Sequence, residues 1–316
     1  MSAMATPDET VVDACPPVTV VVATRDRPEL LRKTIDSIAA QDYEGSVETV
    51  VVYDRSDPDP DLAVTGGPRP VRVITNGRRP GLQGARNSGI EATTAPLIAF
   101  CDDDDVWHPG KLSAQVGLLA AHPEVGFATT GIEIVYRDVR RPRPAGISRI
   151  ERAQLLRSRT IEATHPSTFL FRRSLLTDMG LIDEAVPGGY GEDYEFLLRA
   201  TRFTDVVTVD EPCVEILWHE QSFYVERWQM RIDGLSYVLD QHPDIANDRR
   251  GLARIRGQIA FSRAALGERS AARSEAVATL RLWPLEQRAW LALLVSTGVV
   301  SADRVVGVVQ RSGRSI

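Results

Sequence analysis

The chain has 316 residues, of which 43% are hydrophobic and 25% charged, and its net charge is −6. These values are typical of a soluble globular protein with one large α/β domain and a smaller appendage, and the acidic balance argues against a nucleic-acid-binding protein. The three cysteines lack metal-ligand spacing, which favours a reducing cytoplasm, and no run approaches the roughly 18 apolar residues that span a bilayer.

Residues 1–16 contain acidic side chains and no long apolar core, so they are predicted to be a disordered leader rather than a secretory signal. The pattern from residue 18 to residue 121 predicts a β-α-β-β-α-β-α alternation. Its segments are strand 18–23, a helix from Pro28, strands 47–53 and 71–74, a helix over 84–93, strand 96–101 and a helix over 109–121.

This alternation predicts an α/β fold with a mostly parallel sheet and right-handed crossovers. Ligands of such sheets bind beyond the carboxyl ends of the strands. Asp26, Asp54 and the run Asp102–Asp105 each follow the end of a predicted strand. We therefore expect these carboxylates to converge on one crevice.

The second half of the chain is predicted to begin with strands and to end in helices. Its segments are a strand or strand pair over 125–136, a basic, proline-containing loop over 137–149, a strand over 164–171, a helix over 193–201, strands 206–209 and 214–217, and two or three helices within 251–280 and 285–295. We predict an α/β domain over residues 17–225 and a C-terminal helical region over 226–316.

The four consecutive aspartates Asp102–Asp105 directly follow the apolar run 96–101. Like charges this close raise one another's pKa or require a cation. Mg²⁺ and Mn²⁺ prefer such oxygen ligands, usually together with substrate phosphates. The cluster thus predicts a metal–phosphate site, and a solvated acidic turn is the alternative.

Five segments in order resemble the glycosyltransferases of family 2, which have the GT-A fold, a Rossmann-like sheet flanked by helices. The resemblance covers roughly residues 17–225. Residues 21–28 resemble the family's first strand and turn, residues 51–57 its nucleotide-contacting turn, and residues 84–89 its Arg-Asn helix start. Residues 102–107 resemble its DXD metal motif, and residues 191–194 resemble its Glu-Asp motif.

The resemblance implies that Asp102 and Asp104 form the DXD motif and hold Mn²⁺ or Mg²⁺ at the diphosphate of a donor, with Asp104 as the direct ligand. His219 stands where the family often has a histidine that completes the metal site, and a structural role is the alternative. Asp103 and Asp105 are expected either to bond the donor sugar or to cap the helix after Pro109.

Asp54 is expected, by the same resemblance, to accept a hydrogen bond from the nucleobase. The alternative is a turn aspartate that bonds its own backbone. The family often has an acidic residue where this chain has Tyr53 and glycine where it has Arg55. Thr24 and Asp26 are expected near the nucleotide, and Asp26 is equally compatible with a helix cap.

Arg86 is expected to contact phosphate or donor, and a salt bridge to an aspartate of the cluster is the alternative. Asp193 is the predicted catalytic base, with Glu192 in support. Acidic residues also favour the first turn of a helix through the macrodipole. The glycine-rich residues 188–191 just before them favour a loop of close approach over a plain cap.

Four further features have less specific interpretations. His165 is expected either to line the acceptor side or to have a structural role, and Trp107 and Trp218 either to stack on a sugar or to pack. The five arginines of 137–149 favour a solvated loop over contact with an acidic acceptor at a membrane surface.

The predicted function is inverting, metal-dependent transfer of a sugar from a nucleotide-diphosphate sugar to an acceptor hydroxyl, in polysaccharide, glycolipid or glycosylated-metabolite synthesis. One alternative is a non-catalytic nucleotide-sugar-binding subunit. Another is a sugar-1-phosphate nucleotidyltransferase, disfavoured because the turn at 24–28 has no glycine. We expect a cytoplasmic protein without a transmembrane segment, with peripheral contact at the inner face of the membrane as an option.

Overall fold

The computed structural model describes residues 15–136, 139–159, 161–218 and 227–311. Within these ranges the β-strands are β1 Val18–Thr24, β2 Val47–Tyr53, β3 Val71–Thr75, β4 Leu97–Asp102, β5 Val106–Trp107, β6 Phe127–Tyr136, β7 Val139–Arg143, β8 Arg149–Ile150, β9 Leu170–Arg172 and β10 Val206–Leu217. The α-helices are α1 Pro28–Ala39, α2 Leu82–Glu91, α3 Lys111–Ala121, α4 Arg152–Arg157, α5 Leu175–Met179, α6 Glu192–Ala200, α7 Trp228–Gln241, α8 Arg249–Ala265, α9 Arg269–Leu282, α10 Gln287–Ser296 and α11 Ala302–Arg311.

The strands form one sheet in the order β3-β2-β1-β4-β9-β6-β10-β5, with β7 paired to β6 and β8 to β10. The four strands β3, β2, β1 and β4 are parallel, as is the pair of β6 and β10. The short strands β9 and β5 pair antiparallel with their neighbours. The predicted α/β fold with a mostly parallel core and flanking helices is confirmed.

The register of the parallel strands places their carboxyl ends at one level. Thr24 pairs with Tyr53 across β1 and β2, and Ala23 pairs with Asp102 across β1 and β4. These strands are buried on both faces, which explains their almost continuous apolar sequence. The residues that follow them therefore share one edge of the sheet.

Close helix packing fixes the position of α2 behind this edge. A Cβ built on Gly89 would lie 2.3 Å from Cγ1 of Val21, so only glycine permits this approach of α2 to β1. On the same face five phenylalanines form a cluster with ring-centroid distances between 5.1 and 6.5 Å. The rings belong to Phe100, Phe127, Phe169, Phe171 and Phe196.

The C-terminal helices pack directly on the sheet-bearing part of the chain. Ile232 and Val238 of α7 and Ile255 of α8 join the same hydrophobic cluster as Phe196 of α6. A second cluster lies among α7 to α11 and is rich in alanine. Within the described residues, no helix is both long enough and apolar enough to cross a membrane.

Several local predictions were wrong. The segment 137–149, predicted as a solvated loop, contains β7 and the start of β8. The strand expected over 164–171 is a 3-10 turn, Pro166–Thr168, followed by β9. The two late strands are one strand, β10, whose irregular register lies around Pro212, and the helices α4 and α5 were not predicted.

Candidate functional site

The aspartate run lies at the carboxyl edge of the sheet, as expected, but its four members have different partners. The Thr24 hydroxyl donates to Oδ2 of Asp103 at 2.7 Å. Arg27 donates to Oδ1 of Asp103 at 3.1 Å and to Oδ2 of Asp104 at 2.8 Å. Arg27 thus anchors the middle of the run to the start of α1.

Asp105 faces the opposite way, into the protein. Its buried carboxylate accepts a hydrogen bond of 2.5 Å from Ser167 and lies 3.6 Å from Nδ1 of His165. The same Ser167 hydroxyl accepts from the backbone N–H of Asp102. Ligand atoms of Asp102, Asp105 and His165 all lie within 4.8 Å of one another. These three residues have the donor types and the spacing that a divalent cation needs.

The electrostatics of the run also favour a cation. Burial, and then the charge of Asp102, raises the pKa of Asp105 well above its usual value. The same two causes raise the pKa of Asp104 to about 6. Burial lowers the pKa of His165, which keeps its imidazole neutral and able to bind a metal. The carboxylates are short of positive charge, and a divalent cation fits this set.

Arg86 joins the aspartate run to the Glu-Asp motif. Arg86 is 2% exposed, and its guanidinium lies 2.5 Å from Oδ1 of Asp102 and 2.5 Å from Oε1 of Glu192. The salt bridge that the sequence left as an alternative is therefore present. Burial, and then the neighbouring Asp193, raises the pKa of Glu192 to about 7.

Asp193 is the second residue of α6 and is buried, as is Glu192 before it. The residue before the helix is Gly191, with φ +85°, which has no side chain to cap the N-terminus of α6. One carboxylate oxygen of Asp193 accepts from the N–H of Tyr194, and the other contacts Arg159. The Tyr194 hydroxyl in turn accepts from Arg254 of α8 at 2.9 Å.

Asp54 is buried at the end of β2 and does not simply bond its own turn. Its Oδ1 accepts from Nδ2 of Asn76 at 2.8 Å and from the N–H of Gly81 at 3.1 Å. Arg55 follows with φ +57°, a conformation that costs energy for a residue other than glycine. Asp54 thereby ties β2 to the loop in front of α2.

The helix caps that these aspartates could have formed are not seen, and one predicted metal ligand lies outside the described ranges. Asp26 is exposed, with φ +55°, and pairs with Arg25 at 3.5 Å. It does not cap α1, because the residue before the helix is Arg27 and no side chain bonds its N-terminus. Neither Asp103 nor Asp105 caps α3, which Gly110 precedes without a side-chain bond. His219 lies outside the described residues.

Two tryptophans and the arginine segment have structural contacts. Trp107 is 2% exposed and donates to the carbonyl of Ser167 at 3.0 Å, so it packs rather than stacks on a ligand. The Trp218 ring lies beneath Arg143 at 5.9 Å. Arg140 pairs with Glu133 and Glu215. Arg137 lies outside the described residues.

Sequence reasoning did not find Arg27, Arg159, Ser167 and Arg254. Arg27 had a detectable signal, because it directly precedes the proline that opens α1. Arg159 and Arg254 had none, since they lie 34 and 60 residues from the residues they contact at the start of α6. Only the fold brings these guanidinium groups to Asp193 and Tyr194.

Comparison with known proteins identifies the family. The family model described as "Glycosyl transferase family 2" matches residues 19–180, which include the aspartate run. The chain belongs to glycosyl transferase family 2. The succinoglycan biosynthesis protein ExoO of Rhizobium meliloti is a relative with 31% identity over 244 residues, 72% of this chain and 67% of that protein. The uncharacterized glycosyltransferase YwdF of Bacillus subtilis is 25% identical over 64% of this chain and 73% of its own length.

Solved structures agree on the fold of this family 2 enzyme. TarS of S. aureus, residues 1–349 with UDP-GlcNAc, matches with a TM-score of 0.59 and 18% identity over 89% of each chain. The mannosyltransferase PcManGT of Pyrobaculum calidifontis, with GDP-Man and Mn²⁺, matches with a TM-score of 0.53 and 20% identity over 89% of this chain and 86% of its own. The chain is thus a glycosyltransferase with the GT-A fold.

Proposed function

We propose that this glycosyltransferase uses a nucleotide-diphosphate sugar as donor, depends on Mn²⁺ or Mg²⁺ and inverts the configuration at the anomeric carbon. One observation carries the proposal. Buried Arg86 contacts Asp102 of the aspartate run and Glu192 of the Glu-Asp motif. The residues proposed to bind the donor and those proposed to activate the acceptor therefore lie in one site.

In this proposal Asp193 removes the proton of the acceptor hydroxyl while the hydroxyl oxygen attacks the anomeric carbon. The new C–O bond forms as the bond from that carbon to the diphosphate breaks, and the nucleoside diphosphate leaves with the electron pair. Arg159 holds one oxygen of the Asp193 carboxylate, which orients the base. Glu192 is held by Arg86, which fixes the first turn of α6 and so the position of Asp193.

The donor lies, in this proposal, along the carboxyl edge of the sheet. Asp54 accepts a hydrogen bond from the base, while Thr24, Asp26 and Asp103 line the nucleotide, and Arg86 offsets the charge of the phosphates. Asp102 would hold a divalent cation together with Asp105 and His165, or together with Asp104 and His219 as the resemblance implies, and that cation would supply Lewis-acid stabilisation of the diphosphate leaving group.

The biological setting that we propose is polysaccharide, glycolipid or glycosylated-metabolite synthesis in the cytoplasm. A relative bears the name of a succinoglycan biosynthesis protein, and another is named for transfer of glucose to a diphosphoundecaprenol-linked GlcNAc. The three cysteines are all free in the structure, which agrees with a reducing compartment. The family assignment disfavours a sugar-1-phosphate nucleotidyltransferase.

The decisive experiment measures donor binding and turnover separately. Thermal unfolding with a panel of nucleotide sugars and Mn²⁺ identifies the donor, because a ligand that binds only the folded state stabilises it. Hydrolysis or transfer of that donor is then compared between wild type, Asp193→Asn and the exposed control Asp240→Asn. We expect Asp193→Asn to retain donor binding and lose about 10²–10⁴-fold in transfer.

Each contrary outcome has a distinct meaning. Transfer by Asp193→Asn at the wild-type rate would refute the base assignment. Donor binding without turnover across a wide panel of acceptors would favour a non-catalytic nucleotide-sugar-binding subunit. The anomeric configuration of the product, measured by NMR, tests inversion independently of both.

A further inference from the structure

The charge of the chain is unevenly distributed. Residues 249–311 contain eleven arginines and four acidic residues, a net charge of +7. The whole chain has a net charge of −6, so the remainder carries −13. The helices α8 to α11 are therefore strongly basic, whereas the part that contains the candidate site is strongly acidic. A basic region of this kind favours an anionic partner.

The same helices expose large apolar side chains at the turn between α9 and α10. Leu285 is 74% exposed, Trp290 is 56% exposed and Leu294, one turn after Trp290, is 44% exposed. The indole N–H of Trp290 donates to the carbonyl of Pro284 at 2.8 Å. The polar N–H of the indole is therefore hydrogen-bonded within the protein, and the part of the ring that faces solvent is apolar.

Three exposed arginines lie around this turn. Arg249 donates to the carbonyl of Arg281 at 3.1 Å, and the Arg250 guanidinium lies 5.9 Å from the Trp283 ring centroid. No ion pair of these three arginines is present among the described residues. We call the surface formed by Arg249, Arg250, Arg281, Trp283, Leu285, Trp290 and Leu294 the arginine–tryptophan patch.

We propose that the arginine–tryptophan patch docks the enzyme on an anionic membrane surface. Exposed tryptophan and leucine side chains insert at the lipid–water interface, and arginines around them attract anionic headgroups. A second copy of the chain fits less well, because a symmetric contact would bring the unpaired arginines of both copies together. The proposal does not depend on the chemistry proposed for the candidate site.

Docking at this patch would hold the site close to the bilayer. Arg250 and Arg254 lie one turn apart on α8, and Arg254 donates to the hydroxyl of Tyr194, the neighbour of Asp193. One rigid helix therefore links the patch to the candidate base. If the proposed function holds, an acceptor hydroxyl near a membrane surface would be within reach of Asp193.

Flotation of the full chain with lipid vesicles tests the proposal. One vesicle type is phosphatidylcholine alone, and the other contains phosphatidylglycerol in addition. We expect wild type to float with the anionic vesicles, less so at high salt, and to float poorly with phosphatidylcholine. The triple change Arg249→Gln, Arg250→Gln and Arg281→Gln should weaken anionic binding roughly 100-fold, since each charge near such a surface contributes about fivefold.

Matched control variants distinguish an effect of the arginine–tryptophan patch from the general effect of losing a positive charge or an exposed apolar side chain. Trp290→Ala is compared with Phe203→Ala, whose ring is also exposed but lies outside the patch. Arg281→Gln is compared with Arg202→Gln, another exposed arginine that lies outside the patch. Circular dichroism confirms that each variant folds. We expect only the patch variants to bind anionic vesicles more weakly, by about fivefold for Arg281→Gln, and brominated lipid to quench the fluorescence of wild type more than that of Trp290→Ala.

Three results would overturn the proposal. These are an absence of flotation with anionic vesicles, equal loss in the patch variants and their controls, and a vesicle-free dimer in light scattering that Trp290→Ala dissociates. The last result would assign the patch to a second copy of the chain. None of them bears on donor turnover, which is measured without vesicles.

Discussion

Arg86 and Glu192 form a buried ion pair of 2.5 Å although 106 residues separate them in the chain. The pair links α2 to the first turn of α6, and the second contact of Arg86, to Asp102, extends the link to the end of β4. The donor side and the base side of the proposed site are therefore held together by one guanidinium group.

Replacing Arg86 with methionine should destabilise the protein strongly. The change would leave two carboxylates, Asp102 and Glu192, without their common partner, and loss of one partner from a buried ion pair costs about 3–5 kcal/mol. Urea unfolding at pH 7 measures the loss. Arg86→Lys, which keeps the charge but not the fork geometry, should lose less, and equal stability of both variants and wild type would contradict the prediction.

The stability effect of Glu192→Gln should depend on pH. The pKa of Glu192 is about 7 in the folded protein, raised from 4.5 first by burial. The contribution of the protonated Glu192 carboxyl to the free energy of unfolding is therefore fully present below pH 4.5 and is lost as pH rises through 7. Glutamine does not titrate, so in the metal-free protein Glu192→Gln should become more stable relative to wild type as pH rises from 4.5 to 7, by up to about 3 kcal/mol.

Urea unfolding from pH 4.5 to pH 8 measures this difference, with the exposed Glu44→Gln as control. A change that Glu44→Gln shows to the same extent would be a general effect of removing a carboxylate rather than an effect of the buried Glu192. A flat Glu192→Gln difference would show that the Glu192 carboxyl titrates near its ordinary value in the folded protein.

Metal binding should distinguish two sets of ligands. The geometry groups Asp102 and Asp105 with His165, whereas the family resemblance selects Asp104. His165→Asn should weaken Mn²⁺ binding about tenfold or more, because an imidazole ligand is lost. Calorimetric titration of the donor-free protein with Mn²⁺ measures the affinity. Wild-type affinity in His165→Asn together with loss in Asp104→Asn would support the set from the resemblance.

Asp54→Ala should weaken donor binding with little effect on the rate of transfer at saturation. A hydrogen bond to a charged group contributes about 1.5–3 kcal/mol, which is roughly a tenfold to hundredfold change in the donor dissociation constant. Titration with the donor identified by thermal shift measures it, and the exposed Asp240→Ala serves as control. Equal donor affinity in both variants would exclude Asp54 from the base pocket.

The elements that the sequence predicted well are those in which local pattern and burial coincide. β1, β2 and β4 are almost continuous apolar runs because they are buried on both faces. β7, with the sequence Val-Arg-Arg-Pro-Arg, has no such pattern. It forms because it pairs with the exposed end of β6, and a strand stabilised by its partner leaves little trace in its own residues.

The candidate site shows the same division. The sequence by itself determined that carboxylates follow strand ends, and parallel strands necessarily bring those ends to one edge. Only the tertiary structure decided how the four aspartates differ, with Asp103 and Asp104 held by Arg27 and Asp105 turned toward Ser167. It likewise decided that Arg86 bridges two motifs. Such partners come from distant segments, and side-chain contacts between them depend on packing that local periodicity does not encode.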